Sequence, residues 1–252
     1  MPLSILLNGY KGRMGQAILV ASHGVGVDIA RRLDTGDALD ASAFAGVKVA
    51  VDFSSHEATA PLVRLAAAQK IPVVVGTTGH TPAERKEITA LAKKIPIVWA
   101  GNYSVGVTLL NFLVQRAASI LNSGYNVEIL EMHHRDKKDA PSGTAEKLLE
   151  IVREARKLST DSVVHGRHGL VGARPVDQIG VHALRGGDVV GDHTVIFAGN
   201  GERLELTHKA SSRAIFASGA LLAVQWVVQR PPGLYGMDDV LGLADTKLKI
   251  KK

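Results

Sequence analysis

Short apolar runs alternate with amphipathic stretches through the first hundred residues. That pattern predicts strands alternating with helices, and hence a doubly wound parallel sheet. Leu3 to Leu7 is almost wholly apolar, as a strand buried on both faces must be. Further strands are predicted over Val25 to Leu33, Val47 to Val51, Ile71 to Val75 and Ile95 to Trp99. Helices are predicted over Met14 to Ala21, up to Gln69 with a start obscured by Pro61, and from the capping box Thr81-Pro82-Ala83-Glu84 to about Lys94. Ligands of such sheets bind outside the carboxyl ends of the strands. Those ends are Gly9 to Gly15, Asp52 to Ser55, Gly76 to Gly79 and Ala100 to Ser104, all rich in small or hydroxylated residues.

The periodicity then changes. Val105 to Leu121 reads as a helix crossing into a second domain, Val127 to Leu130 as a short strand, and Ala145 to Leu158 as an amphipathic helix with Leu148, Ile151, Val152 and Ala155 on one stripe. Leu158 to Gln178 has no clear period and reads as a loop. Ile179 to Arg185, Val189 to Ala198 and Arg203 to Lys209 read as antiparallel strands joined by glycine turns. Leu204, Leu206 and His208 alternate with Glu205, Thr207 and Lys209, so one face is apolar and needs covering by helices or a partner. Ile215 to Val228 is a long apolar helix able to return to the first domain, and a short helix follows near Met237 to Leu243. The expected fold is α/β: a Rossmann-like doubly wound parallel sheet (residues 1–104 and 214–252) plus an α+β domain with a mixed or antiparallel open sheet (105–213).

Chemistry enters at two places. The first strand ends in Asn8-Gly9-Tyr10-Lys11-Gly12-Arg13-Met14-Gly15. Its glycines are three apart, unlike the usual G-x-G-x-x-G, yet the physics is that of a dinucleotide loop: a tight turn, close backbone approach to pyrophosphate, and a helix start behind it. Asp34, about twenty residues on, is placed to accept from ribose hydroxyls; its plain alternative is a turn residue in Asp34-Thr35-Gly36-Asp37.

The second place is Glu131 to Thr144, which gathers His133, His134, several cations and a helix-start signal. Pro141 rules out a continuous helix, and Ser142 or Gly143 is a natural N-cap. The amides of Gly143 and Thr144 then form an anion cradle. Lys137 adds a point charge, and an imidazole at 133 can exchange a proton near neutral pH. Proton transfer to a small carboxylate-bearing substrate follows. The bland alternative is a polar loop that solvates a surface, which has no need of a double His together with Pro-Ser-Gly-Thr.

This run resembles the signature of the dihydrodipicolinate reductases, Glu-(Ala/Leu)-His-His-X-X-Lys-X-Asp-Ala-Pro-Ser-Gly-Thr, with Met132 at the variable second place. The loops are similar as well, to Gly-X-X-Gly-Arg-Met-Gly, Asp-Phe-(Ser/Thr), Gly-Thr-Thr-Gly and Asn-(Phe/Tyr)-Ser-Val-Gly, and the likeness spans essentially the whole chain. It implies an NAD(P)H-dependent reduction of a conjugated ring carrying two carboxylates, a step of diaminopimelate and lysine biosynthesis. By that likeness His133 is the acid and Lys137 steadies the developing charge, while His134, Gly143 and Thr144 hold the carboxylates. Gly9, Tyr10, Lys11, Gly12, Arg13, Met14 and Asp34 hold the dinucleotide, with Gly76, Thr77, Thr78 and Ala100, Gly101, Asn102, Tyr103 near the nicotinamide. Many members have Glu-Arg where Asp34-Thr35 stands, and that Arg is associated with the 2′-phosphate of NADP. Lys11 and Arg13 can serve a 2′-phosphate instead, so NADH and NADPH both remain open. The likeness also points to a homotetramer, although a dimer covers one face equally well, and to closure of the two domains about a hinge. Rival readings are another Rossmann oxidoreductase acting on an imine and a non-catalytic dinucleotide sensor.

Composition narrows the setting. The net charge of +6 is scattered and partly sits in the tail Lys247 to Lys252, read as solvated, so it suits an anionic dinucleotide and substrate rather than nucleic acid. There is no cysteine, hence no disulfide framework. No signal peptide and no apolar stretch of the ~20 residues a membrane helix needs are seen, so a soluble cytoplasmic protein is expected. His165 and His168 read as solvated, and His182, His193 and His208 as making sheet or interface hydrogen bonds; no set of them has metal-ligand spacing.

Overall fold

The structure is a computed structural model that describes residues 2–121 and 123–243; the basic tail lies outside them. The chain divides into two compact units, Met1–Val105 with Arg213–Lys252, and Gly106–Ser212.

The first unit is built on a six-stranded sheet: β1 (Leu3–Asn8), β2 (Val27–Leu33), β3 (Val49–Asp52), β4 (Val73–Val75), β5 (Pro96–Trp99) and β11 (Gly233–Tyr235). The order is β11-β5-β4-β3-β1-β2, and every pairing is parallel. Successive residues of β1 serve opposite faces. Ile5 and Leu7 pack with α1 (Arg13–Ala21) and α6 (Ala214–Val227), and Leu6 packs with α2 (His56–Ala68) and α3 (Pro82–Leu91). This is why the strands read as unbroken apolar runs. The order reverses at β1, with β2 on one side and β3 on the other, so the loops after β1 and β3 flank a crevice.

The structure settles one open start and differs from expectation at two places. Pro61 lies inside α2; its ring removes one hydrogen bond to the Glu57 carbonyl, and Glu57 is exposed, so water can satisfy that oxygen. The strand expected from Val25 begins at Val27, because Gly24 and Gly26 both turn with positive φ. Gly233–Tyr235, where no strand was expected, is a sheet edge strand on β5, and Pro231 and Pro232 precede the paired residues.

The second unit carries a five-stranded sheet: β6 (Asn126–His133), β7 (Val163–His165), β8 (Ile179–Arg185), β9 (Gly191–Ala198) and β10 (Arg203–Ala210), in the order β10-β9-β6-β8-β7. Helices α4 (Val105–Ile120) and α5 (Gly143–Arg156) bury Leu110, Val114, Leu148 and Val152 against Val127, Ile129, Val195 and Phe197. Only β9 and β10 form the expected hairpin. β6 lies between β8 and β9, parallel to the first and antiparallel to the second. Its alternate residues Val127, Ile129, Glu131 and His133 are all buried, as suits a strand paired on both edges. The segment read as a loop contains β7, too short for a period to show. The chain closes with α7 (Met237–Val240) in the first unit.

Candidate active site

Around the first glycine loop the backbone leaves no room for side chains. Gly9 has φ +83°, and a Cβ there would lie 2.2 Å from the Phe53 carbonyl oxygen. A Cβ on Gly15 would lie 2.2 Å from the carbonyl oxygen of Gly9. Two strand-end loops and the start of α1 are thereby packed backbone to backbone. Gly12 is the N-cap of α1, with no side chain capping it and no acid in the first turn. The amides of Arg13, Met14 and Gly15 have no intrahelical acceptor, which leaves this end able to receive an anion.

Asp34 fixes the loop from the other side. One carboxylate oxygen accepts the Lys11 amide at 2.8 Å and the other the Thr35 amide at 2.9 Å. These bonds, Lys11 first, hold its carboxyl below the ordinary range. Each oxygen keeps a lone pair for a further donor. A cavity of about 570 Å³ lies here, lined by Gly9, Gly12, Asp34, Thr35, Phe53 and Ser54 among others. Backbone amides at one end and a carboxylate at the other fit a dinucleotide's pyrophosphate and ribose. Lys11 and Arg13 are exposed, with the Lys11 ammonium 5.6 Å from the Tyr10 ring centre, whereas Tyr10 and Met14 are half-buried against the core.

The loops expected near the nicotinamide are pinned from inside the fold. Asp52 is fully buried and accepts from Asn8 at 2.8 Å, Ser54 at 2.5 Å, Thr59 at 2.6 Å and Thr77 at 2.8 Å. The Thr77 hydroxyl is thus engaged inside the fold, where it also accepts the Ser54 amide at 3.0 Å. Tyr103 is buried too. Its hydroxyl lies 2.8 Å from the Val75 carbonyl and 3.2 Å from that of Val98, and burial pushes the phenol up. The Thr77 and Tyr103 side chains are thus engaged inside the fold, and their backbones are what these loops present toward the crevice. Gly76 has a packing reason, since a Cβ would lie 2.0 Å from the Phe53 ring. Thr78 contributes its methyl at 3.6 Å from where a Gly101 Cβ would stand. The Ala100 amide bonds the Val75 carbonyl at 3.1 Å, and Asn102 caps the turn by accepting the Ser104 amide at 2.8 Å. Asp52 was missed in the sequence; a lone acid ending an apolar strand carries no spacing signal.

In the second unit β6 runs on to His133, beyond the Leu130 expected, so Glu131 and His133 share its buried face. His133 Nδ1 is 2.7 Å from Glu131 Oε2. Arg185 donates to both Glu131 oxygens, at 2.8 and 2.9 Å, and the Ser142 amide donates to Oε1 at 3.1 Å. Burial works to raise the Glu131 carboxyl; the bonds from Arg185 and His133 outweigh it, and the group sits below the ordinary carboxylate range. Ser142 caps α5 by accepting the Ala145 amide at 3.2 Å, and its hydroxyl meets His193 Nε2 at 2.9 Å. Gly143 opens the helix in free space, exposed, with Thr144 behind it.

His193 pairs across the sheet with Glu131, and its ring meets that of His133 edge-on at 5.1 Å. Burial first, then the neighbouring His133, lowers it to about 4. It is a neutral support of Ser142, a role the sequence reading did not give it. Lys137 donates to both oxygens of Asp139 at 2.9 and 2.8 Å, and Asp139 passes its carbonyl to Arg185 at 2.7 Å. The His134 carbonyl accepts the Lys137 amide at 3.2 Å and closes the turn between them. His133, Lys137, His134 and the start of α5 are thus brought together within one unit. A separate cluster around Glu128 engages Arg167, Arg174 and His182 on the alternate face of β6; burial is outweighed by these partners, and Glu128 is lowered to about 2. Among the described residues no group of three or more His, Cys, Asp or Glu has metal-holding geometry, and no helix is long and apolar enough to cross a membrane.

Residues 3–103 match the family described as dihydrodipicolinate reductase, N-terminus, and residues 106–241 match its C-terminus. The chain belongs to the dihydrodipicolinate reductase family. Its relatives in that family include the 4-hydroxy-tetrahydrodipicolinate reductase of Akkermansia muciniphila, 56% identical, with 96% of this chain and 99% of the relative covered. The enzyme of that name from Thiobacillus denitrificans is 45% identical over 96% of this chain and 100% of its own. Among solved structures, the dipicolinate-bound dihydrodipicolinate reductase from Paenisporosarcina sp. TG-14 superposes with a TM-score of 0.80 at 25% identity, covering 95% of this chain and 99% of that one. The reductase family thus accounts for the dinucleotide loop of the first unit and the His-rich strand end of the second in one protein.

Proposed function

We propose that this chain reduces 4-hydroxy-tetrahydrodipicolinate to tetrahydrodipicolinate with NADH or NADPH, the substrate's hydroxyl leaving as water to give the conjugated ring that accepts the hydride, in the cytoplasmic route to diaminopimelate and lysine. The observation that carries this reading is the buried Glu131–His133 pair standing beside the N-terminus of α5, because it joins a proton donor to an anion site. A dinucleotide sensor would need the first unit's groove and would have no use for that pair. When bound, the reduced dinucleotide supplies the hydride. The loop Gly9 to Gly15 and Asp34 would hold its phosphates and ribose, and the backbones at Gly76 to Thr78 and Ala100 to Tyr103 would line the nicotinamide. Gly143 and Thr144 receive one substrate carboxylate at the helix start, with His134 beside them. Lys137 exchanges Asp139 for the substrate and offsets the negative charge that spreads toward the ring nitrogen as hydride arrives. His133 delivers the proton from Nε2 to the adjacent carbon.

The test is turnover of His133→Gln. A general acid contributes about 10²–10⁴-fold, and kcat is expected to fall by that factor with little change in KM. An unchanged kcat with a raised KM would reduce His133 to a binding group.

The quaternary state proposed is a homotetramer formed through the second unit's sheet. Leu130 and Leu184 stand on the sheet face opposite the one on which α4 and α5 bury their core residues, and they are 38% and 44% exposed.

A further inference from the structure

We infer that Glu131 is the positioning residue of this site: a single carboxylate holds the proton donor in its working tautomer and anchors the anion cradle at the same time. The inference rests on the reading of His133 as the acid. A carboxylate can only accept hydrogen bonds, so the 2.7 Å contact from His133 Nδ1 to Glu131 Oε2 requires the proton on Nδ1. Nε2 is then the atom that gives up its proton to the substrate. The neutral ring left behind is already the tautomer that Glu131 holds, so Nε2 takes up a proton from solvent for the next cycle without a ring flip. Nε2 has clearance because its neighbour on β9 is Gly191; a Cβ there would lie 2.9 Å from it.

The second half of the role runs through Oε1. It accepts the Ser142 amide at 3.1 Å, which pins the residue just before Gly143 and Thr144. Glu131 and His133 are two apart on one strand, and Ser142 is the N-cap of α5, so the carboxylate links strand end to helix start. Arg185 supplies the countercharge, with a fork onto both oxygens and a bond to the Asp139 carbonyl; Asp139 in turn holds Lys137. His133 and the Ser142 cap are therefore one link from Glu131, and Lys137 is three links away through Arg185 and Asp139. Every lone-pair direction of the carboxylate is used, by four donors, with only 1% of the residue exposed. Glu131 touches no substrate itself.

A purely structural ion pair would also be damaged by substitution, so the test reads the tautomer as well as the rate. Glu131→Gln keeps the shape but presents an NH2 group toward at least one of the former donors. Its kcat is expected to fall by about 10²–10⁴-fold, from the usual loss on removing a supporting carboxylate up to the loss seen for a wrong-tautomer histidine. The dissociation constant for NADH, which reports the other unit, is expected to be unchanged. In parallel, nitrogen NMR of imidazole-labelled wild-type protein at a pH where the ring is neutral is expected to show His133 protonated at Nδ1, the signal being assigned by its loss in His133→Gln. Glu131→Gln is expected to shift that signal toward the Nε2-protonated form. Wild-type His133 protonated at Nε2 would overturn the inference whether or not the variant folds. So would a Glu131→Gln enzyme with wild-type kcat, or one that loses kcat while its His133 stays protonated at Nδ1. Full turnover in His133→Gln would instead sink the acid reading beneath it.

Discussion

His193→Gln should make the protein more resistant to acid than it is now. The wild-type imidazole is 4% exposed, bonded through Nε2 to Ser142, with Nδ1 buried and unpartnered. Its lowering from 6.5 to about 4 means that the folded state resists protonation more than the unfolded chain does. The sign follows from linkage. The unfolded state binds the proton first, so the stability is intact above 6.5 and is lost as pH falls toward 4. At 1.36 kcal/mol per unit, a shift of about 2.5 units costs roughly 3 kcal/mol in full, and most of it is gone by about pH 4.5. A glutamine can keep one bond to Ser142 and cannot titrate. Thermal unfolding of each at about pH 7.5 and about pH 4.5 isolates the difference. At about 2–4 °C per kcal/mol for a chain of this size, the wild-type midpoint should drop further than the variant's by roughly 5–10 °C. Equal drops in the two proteins would show that His193 is not held neutral by burial.

Other outcomes follow from the same geometry. Gly15→Ala drives a Cβ to 2.2 Å from the Gly9 carbonyl, a backbone contact that cannot yield cheaply; a loss of about 1–3 kcal/mol and NADH affinity weakened at least about tenfold are expected by calorimetry. Asp34 with Thr35 favours free ribose hydroxyls and supplies no cation, so kcat/KM with NADH should equal or exceed that with NADPH; a hundredfold preference for NADPH would refute it. Light scattering on the eluted protein at micromolar concentration should report four copies, and an active monomer would show that the Leu130–Leu184 face needs no partner.

Legibility in the sequence followed periodicity. The parallel strands were readable because both faces are buried, which forces unbroken apolar runs such as Ile5 to Leu7. The glycine loop and the Glu131 to Thr144 run were readable because close backbone approach and a helix start demand particular residues. What failed was non-local. That β6 would divide β8 from β9 is a pairing choice with no local signature, and β7 and β11 are three residues each. That the Tyr103 and Thr77 side chains turn inward was not legible, because motif position says nothing of which way a side chain turns. His193, Arg185 and Glu131 are brought together across β6, β8 and β9, and only the register reveals it. Had the strand been extended by alternation to His133, Glu131 would have been seen on the same face.

The most direct measurement is loss of the reduced nicotinamide's absorbance when the protein meets freshly generated 4-hydroxy-tetrahydrodipicolinate, compared with imine substrates of amino-acid dehydrogenases. Rapid oxidation of NADH or NADPH with the first substrate, little with the imines, and loss in His133→Gln are expected. Tight dinucleotide binding with no oxidation by that substrate would contradict the assignment.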